Sequence, residues 1–226
     1  MPVTFIGTSH IAQDSVDEIK KAFLDNDPDI VGVELDRQRL HALLSDQKPN
    51  YSPRMIGKIG LKGYLFAIIG SYLQRKLGRM VGVQPGSDMK QAVVLAKNNQ
   101  KQVLLMDRNL QTTLKRFSKQ LTWKERWRFL GDLILRRGRG KRMKIDLKKV
   151  PPKQLVKVLL DELKGRYPTM HRILVEERNE FMARRLLAAS LQHPDSKILA
   201  IIGAGHLQGV QERYHQLLEQ HEAQHS

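Results

Sequence analysis

Two copies of a Gly-x-x-His sequence lie near opposite ends of the chain. Gly7-Thr8-Ser9-His10 follows one apolar run, and Gly203-Ala204-Gly205-His206 follows another. Glycine lets the backbone turn sharply and approach a ligand closely, so we expect each histidine to point into a crevice. Neutral imidazole with a carboxylate is a common ligand set for a divalent metal ion. The same groups could instead act as general acid and base without a metal ion.

Charged side chains follow two further apolar runs. Glu34 closes the second run and is followed by Asp36 and Arg37, whereas Asp107 and Arg108 follow the third. The carboxyl ends of parallel strands meet at one edge of a sheet, and ligands bind in the crevice there. The candidate residues expected at this rim are Gly7, His10, Glu34, Arg37, Asp107, Arg108, Gly203, Gly205 and His206.

Four short apolar runs rich in β-branched residues predict the strands that position these groups. They are Val3–Ile6, Ile30–Leu35, Val103–Met106 and Ile198–Ile202. Each is too short for a helix and is bounded by turn or polar residues. Helical patterns lie between them at Ser15–Leu24, Arg37–Leu44 and Asp88–Lys97, with Asp14 and Ser87 as expected N-caps. The alternation predicts an α/β fold with a mostly parallel or mixed central sheet and helices on both faces.

A long helical pattern, from about Leu110 to Leu191, separates the third and fourth strands. It exceeds one crossover connection and predicts a large helical insertion or subdomain. The predicted division is a core of residues 1–109 and 192–226 and an insertion of residues 110–191. Within the insertion, RRGRGKRMK (136–144) indicates a break, because two glycines lie among charges that repel one another. Pro151 or Pro152 is then expected in the first turn of the next helix.

Two groups of neighbouring residues in the insertion could have special roles. Glu177, Arg178 and Asn179 are consecutive on its last long helix, so they fan around the helix and cannot all face one point. Trp123 and Trp127 are one helical turn apart, and we expect them to pack inside the core or subdomain.

Composition excludes some chemistry and suggests partners. The chain has 226 residues and no cysteine, which excludes disulfides, a thiolate nucleophile and a cysteine zinc site. The formal net charge is +16, and the stretch from Lys115 to Lys149 holds fourteen Lys or Arg against three Asp or Glu, a difference of +11. This stretch can be a solvated surface, or it can contact anionic lipid headgroups. Without a recognisable nucleic-acid motif, we expect nucleic acid to bind only nonspecifically.

We expect no signal peptide and no membrane-spanning helix in this sequence. The start of the chain lacks the basic and apolar parts of a signal peptide. The longest apolar-leaning stretch, Met55–Met80, is interrupted by Lys58 and Lys62, so its uninterrupted part is shorter than the roughly 20 residues of a spanning helix. We therefore expect a soluble cytoplasmic protein, with peripheral membrane contact as the alternative.

An ordered set of motifs resembles one known family. GTSH, VGVELDRQR, GVQPGSDM, LLMDRNLQTTLKR, EERNEFMARRL and IIGAGHLQGV occur in the order of the TraB family, the pheromone-shutdown group that includes PrgY. The resemblance covers roughly Val3 to Val210 and extends more distantly to GumN-like proteins and the Tiki proteases, which are metal-dependent. It implies a metal-dependent hydrolase of peptides or small amides or esters.

The resemblance also implies roles for particular residues. His10 and His206 would bind Mn, Co or Zn, and Glu34 would be a third ligand or the base that activates a bound water. Arg178 would hold a substrate carboxylate or polarise a carbonyl, and Glu177 would assist catalysis. Independently of the resemblance, positions at the strand ends and on the last long helix give the candidate substrate contacts, which are Gly7, Arg37, Asp107, Arg108, Asn179, Gly203 and Gly205. Archaeal and many close members of the family have Glu-Arg-Asp at this place, whereas Glu177-Arg178-Asn179 resembles the form of GumN-like relatives. The neutral Asn179 cannot act as a base.

Two other functions fit the same sequence. A protein that binds and sequesters a peptide would need the site but no chemistry. A membrane-surface or scaffold role would use the basic helices. An oligomer is compatible with each of these functions.

Overall fold

The computed structural model describes residues 3–8, 13–45, 56–58, 60, 64, 86–135 and 152–225. His10, the predicted break at 136–144 and most of Met55–Met80 lie outside the described residues.

Four parallel strands form one sheet in the described part of the chain. They are β1 (Val3–Thr8), β2 (Ile30–Val33), β3 (Gln102–Leu105) and β4 (Ile198–Gly203). Their order across the sheet is β1-β4-β2-β3, and each neighbouring pair is parallel. Thr8 of β1 lies beside Gly203 of β4, so the two strands end at the same edge of the sheet. The predicted α/β class is confirmed, and the described sheet is wholly parallel.

The structure gives the bounds of nine α-helices in the described part of the chain. They are α1 (Gln13–Asn26), α2 (Arg37–Leu44), α3 (Ser87–Asn98), α4 (Leu110–Gln120), α5 (Trp123–Leu135), α6 (Pro152–Arg166), α7 (Pro168–His171), α8 (Glu177–Gln192) and α9 (Leu207–His225). A π-helical turn, Arg172–Glu176, joins α7 to α8.

Both faces of the sheet are covered. All six residues of β4 are buried, as expected of a central strand in a parallel sheet, and successive side chains point to opposite faces. One core lies between the sheet and helices α1 and α3, and it includes Ile19, Phe23, Val31, Val33, Met89, Val93, Leu199 and Ile201. The other core lies between the sheet and helices α8 and α9, and it includes Met182, Leu186, Ile198, Ala200, Ile202, Val210 and Tyr214. Thus α8, inside the predicted insertion, packs directly on the sheet.

A smaller core holds the helical part together. Phe117 and Leu121, at the end of α4, pack with Met170 of α7 and Ile173 of the π-helical turn. In the described part of the chain, no helix combines the length and hydropathy that crossing a bilayer requires.

Two predicted helix caps are wrong. Helix α1 begins at Gln13, so Asp14 lies inside it. Helix α3 begins at Ser87, and its N-cap is Gly86 with a φ of 85°, a left-handed conformation that favours glycine. Asp36 is a side-chain cap that was not predicted, since it accepts from the first backbone N–H groups of α2. Pro152 opens α6 as expected.

The expectation that the two tryptophans are packed inside the protein is also wrong. Trp123 and Trp127 are 67% and 59% exposed on α5. Helix α5 has apolar residues on two of its faces. The contacts of its other residues decide which of these faces packs against the protein.

Replacing a core residue of β4 should cost far more stability than replacing an exposed apolar residue. Ile201 is fully buried in the first core, so Ile201→Ala should lower the free energy of unfolding by about 2–5 kcal/mol. Leu24 is 79% exposed, and Leu24→Ala should change it by no more than about 0.5 kcal/mol. Urea unfolding followed by circular dichroism measures both, and equal losses would contradict the sheet arrangement.

Candidate functional site

Arg178, on the first turn of α8, joins two carboxylates at the carboxyl edge of the sheet. Its Nε donates to Asp107 Oδ1 (3.1 Å), and its Nη2 donates to Asp107 Oδ2 (2.7 Å) and Glu34 Oε1 (2.5 Å). Glu34 and Asp107 follow the neighbouring strands β2 and β3, which explains why they lie close together. They are 4% and 8% exposed, so the ion cluster is almost sealed from solvent.

All five N–H groups of Arg178 have acceptors. The two on Nη1 reach His206 Nε2 (2.8 Å) and the Leu174 carbonyl oxygen (3.4 Å). Guanidinium has five N–H donors, so a substrate carboxylate could bind Arg178 only by displacing a present partner. Burial alone would lower the pKa of Arg178, but the charges of Glu34 and Asp107 raise that pKa above its ordinary value. Arg178 therefore stays charged.

His206 is held at both ring nitrogens. Nε2 must accept from Arg178 because a guanidinium only donates. The ring proton is then on Nδ1, which donates to Asn179 Oδ1 at 2.6 Å. The result is a neutral imidazole whose Nε2 carries the lone pair, 3.7 Å from Glu34 Oε1. This tautomer can act as a base or a metal ligand through Nε2.

The three consecutive residues 177–179 point to two different places. Arg178 and Asn179 both reach His206 because the imidazole offers a nitrogen on each side. Glu177 faces a different set of groups and contacts Arg108, Arg116 and Arg172.

The glycines of the two Gly-x-x-His segments let neighbouring elements pack closely against the strand ends. A Cβ at Gly7 would lie 2.5 Å from Leu207 Cδ2, so its absence lets α9 start against β1. The N–H of Gly203 donates to Glu34 Oε2 at 2.8 Å, which ties the ends of β2 and β4 together. Gly205 lies beside Val156 of α6.

An arginine that sequence reasoning missed completes the cluster. Arg39 Nη1 donates to Asp107 Oδ2 (3.2 Å) and to the Glu34 carbonyl oxygen (3.4 Å), whereas Arg37 is exposed. Two positions apart on a helix, these side chains point about 200° apart. Recognising Asp36 as the N-cap of α2 would have indicated that Arg39 turns back toward the strand ends.

Arg108 and Glu177 form a second charged cluster beside the first. Arg108 donates to Glu177 Oε2 (3.1 Å), to the Ile173 carbonyl oxygen (2.8 Å) and to Thr113. Burial alone would raise the pKa of Glu177, but Arg116 and Arg108 hold it below its ordinary value. This cluster joins α4 to the start of α8.

The described residues do not fit a metal ion in this arrangement. Glu34 Oε1 and His206 Nε2 are 3.7 Å apart, near the roughly 3.4 Å expected between two ligands of a tetrahedral ion. The Arg178 guanidinium, however, donates to both atoms and lies where such an ion would bind. Within the described ranges, no group of three His, Asp or Glu side chains is arranged to hold a metal.

A side chain at position 209 should disturb the hold on His206. A Cβ at Gly209 would lie 2.2 Å from Asn179 Nδ2, so Gly209→Ala should move Asn179 and shift the His206 ring ¹⁵N resonances. Gly165→Ala is the control, because nothing lies within 4 Å of its Cβ and alanine should stabilise the helix by up to about 1 kcal/mol. Unchanged His206 signals in Gly209→Ala would contradict the assigned contact.

The second cluster should show a defined pH dependence. The pKa of Glu177 is lower folded than unfolded, so its stabilising effect exists above the ordinary value and is lost as pH falls through the folded value. Glu177→Gln should therefore be less stable than wild type at about pH 7, with a gap that narrows below 4.5, the ordinary value. Unfolding free energies across this range test the prediction, with Glu18→Gln, on an exposed part of α1, as the control. A gap that is constant with pH would count against the ion cluster.

Comparison with known proteins places the sequence in a family. The TraB/PrgY/gumN family matches residues 2–224. An uncharacterised protein of Methanocaldococcus jannaschii is 32% identical over 213 residues, covering 92% of this chain and 52% of that protein. TraB domain-containing proteins of Homo sapiens and Mus musculus are each 25% identical over 242 residues, covering 94% of this chain and 62% of theirs. The chain thus spans about half to three fifths of the length of these relatives. Since the match extends over nearly all of its sequence, the chain belongs to the TraB/PrgY/gumN family.

Proposed function

We propose that the chain is a hydrolase of peptides or of small amides or esters, with its reaction site at the carboxyl edge of the sheet. The observation that carries the proposal is the position of His206, whose Nε2 lies 3.7 Å from the buried Glu34 carboxylate and 2.8 Å from Arg178 Nη1. A held imidazole beside a carboxylate is a general acid–base pair. The cytoplasm is the proposed location, which the absence of cysteine permits.

The proposed proton transfer begins at His206. Nε2 takes a proton from water as that water attacks the substrate carbonyl, and the imidazolium is stabilised by Glu34 and by Asn179 Oδ1. The imidazolium then gives this proton to the leaving amine or alcohol as the C–N or C–O bond breaks. Nε2 can do this only when Arg178 Nη1 releases it. The freed N–H of Nη1 would then be available to polarise the substrate carbonyl.

Asp107 would be a positioning residue in this scheme. It holds Arg178 through Nε and Nη2, so Nη1 can change partner while the rest of the guanidinium stays in place. Arg39 holds Asp107 from the other side. Neither residue needs to touch the substrate.

The metal-dependent form of the hypothesis, with Mn, Co or Zn, makes an additional demand. Arg178 would have to leave both Glu34 and His206, and His10 would have to supply a further ligand. Metal content of the wild-type protein alone would be ambiguous, because His221 and His225 stack at 4.1 Å on α9 and histidines at i and i+4 on a helix can take up metal. The informative protein is therefore His221→Ala/His225→Ala, purified without a histidine tag.

Binding of a peptide without chemistry remains the second candidate, and one observation favours it. Every N–H group of Arg178 already has an acceptor, and the carboxylates around it are almost sealed. An ion cluster whose N–H donors all have acceptors can stabilise the sheet edge for peptide binding without taking part in a reaction.

Glu34→Gln should separate the two candidates. Glutamine keeps the shape and one acceptor but loses the charge. If Glu34 supports proton transfer, hydrolysis of a peptide library should fall by roughly 100-fold or more. If Glu34 only holds the sheet edge, melting temperature should fall and any activity should persist.

Two further proteins make this result interpretable. His206→Gln should lose activity to a similar extent if the ring is the base, and Glu18→Gln should behave like wild type in both assays. Full activity in a destabilised Glu34→Gln protein would exclude the proposed mechanism.

A further inference from the structure

The outward face of α5 is aromatic. Trp123 and Trp127 are 67% and 59% exposed, and their rings meet edge to face with centroids 5.6 Å apart. Residues four apart lie on the same side of a helix. Paired exposed tryptophans are unusual on a soluble surface and indicate an interaction site.

The opposite face of α5 is fixed to the helical core, so the tryptophans cannot turn inward. Glu125 accepts from the Thr169 backbone N–H at 2.8 Å, and the Phe129 ring packs against Tyr167. Asp132 accepts from Arg166 Nε at 2.6 Å. Both acidic side chains of α5 are therefore directed to the protein side.

Two cations flank the tryptophans. Lys124 and Arg126 each directly neighbour one of them in sequence, and the Arg126 guanidinium carbon lies 5.9 Å from the centroid of the Trp123 ring. Arg128 instead donates to the Arg166 carbonyl oxygen at 2.8 Å, on the protein side. Helix α5 carries three Lys or Arg against two Asp or Glu. Since the two acids are Glu125 and Asp132, the outward face of α5 presents aromatic rings and positive charge together.

We propose that this face of α5 docks on the surface of an anionic phospholipid bilayer. Tryptophan rings favour the headgroup level of a membrane, and basic side chains beside them are attracted to anionic lipid. An amphipathic helix with both features lies in the plane of the interface without crossing it. The proposal is independent of the hydrolase, because it uses none of the groups at the sheet edge.

Nucleic acid fits this face less well. Single-strand binding uses aromatic rings as a series of open stacking platforms. Here the two rings stand edge to face, and Arg126 lies over one of them. The observations therefore favour lipid.

Tryptophan fluorescence can report on this face of α5. The chain's two tryptophans are both on this face, so intrinsic fluorescence reports the face alone. In the free protein, iodide should quench the emission strongly. On adding vesicles of phosphatidylcholine with about 30% phosphatidylserine, the emission should shift to the blue and become protected from iodide.

Sedimentation with the same vesicles measures affinity. Trp123→Ala/Trp127→Ala should lower the partition coefficient at least about 10-fold, as should Lys124→Glu, whereas the exposed Leu24→Ala on α1 should bind like wild type. Pure phosphatidylcholine vesicles should bind weakly, and added salt should release the protein from the anionic ones.

Several results would overturn the proposal. They are emission already blue-shifted in the free protein, equal binding to neutral and anionic vesicles, and unchanged binding of the double tryptophan variant. A fluorescence response to single-stranded RNA without one to anionic vesicles would assign the face to nucleic acid instead.

Discussion

The buried ion cluster of Arg178 with Glu34 and Asp107 is the interaction on which the arrangement of the sheet edge depends. Taking charges out of water is costly, and the cost is offset only when each charge is paired and hydrogen-bonded. Arg178 meets this condition with all five donors. Its partners come from the ends of β2 and β3, from the turn before α9 and from the turn before α8, so one side chain fixes the relative positions of these elements. Loss of one partner would leave an uncompensated buried charge, which typically costs about 3–5 kcal/mol.

The π-helical turn before α8 helps to place this side chain. In a π-helix each N–H bonds to the carbonyl five residues earlier, and the N–H of Glu177 does bond to the carbonyl oxygen of Arg172. The next two carbonyl groups of the turn receive guanidinium donors. Ile173 accepts from Arg108 and Leu174 accepts from Arg178. The irregular turn thus joins the two charged clusters, which would otherwise be separate features of one helix.

Sequence patterns predicted the elements of this fold better than the contacts between them. The strands were recognisable because short β-branched runs bounded by turns have few alternatives. The sheet order β1-β4-β2-β3 was not, because it depends on contacts between residues far apart in the chain. At the site, the sequence indicates Glu34, Asp107 and His206 by their places after strands, and the family motifs indicate Arg178. Spacing alone does not identify Arg39, because the Asp36 cap decides where α2 begins and therefore which of its side chains face the strand ends. Trp123 and Trp127 were misplaced because spacing alone does not show which apolar face of α5 turns inward.

The central position of β4 has a consequence for how the protein is made. Strand β1 pairs with β4, and β2 also pairs with β4, yet about 160 residues separate β2 from β4 in the chain. During synthesis on a ribosome, β1 would emerge long before its partner, leaving an apolar strand edge open. Such late, long-range pairing slows folding and exposes the nascent chain to aggregation. The ion cluster also forms late, since Glu34 and Asp107 are synthesised before Arg178, so the carboxyl edge of the sheet can assemble only after α8 and β4 have been made.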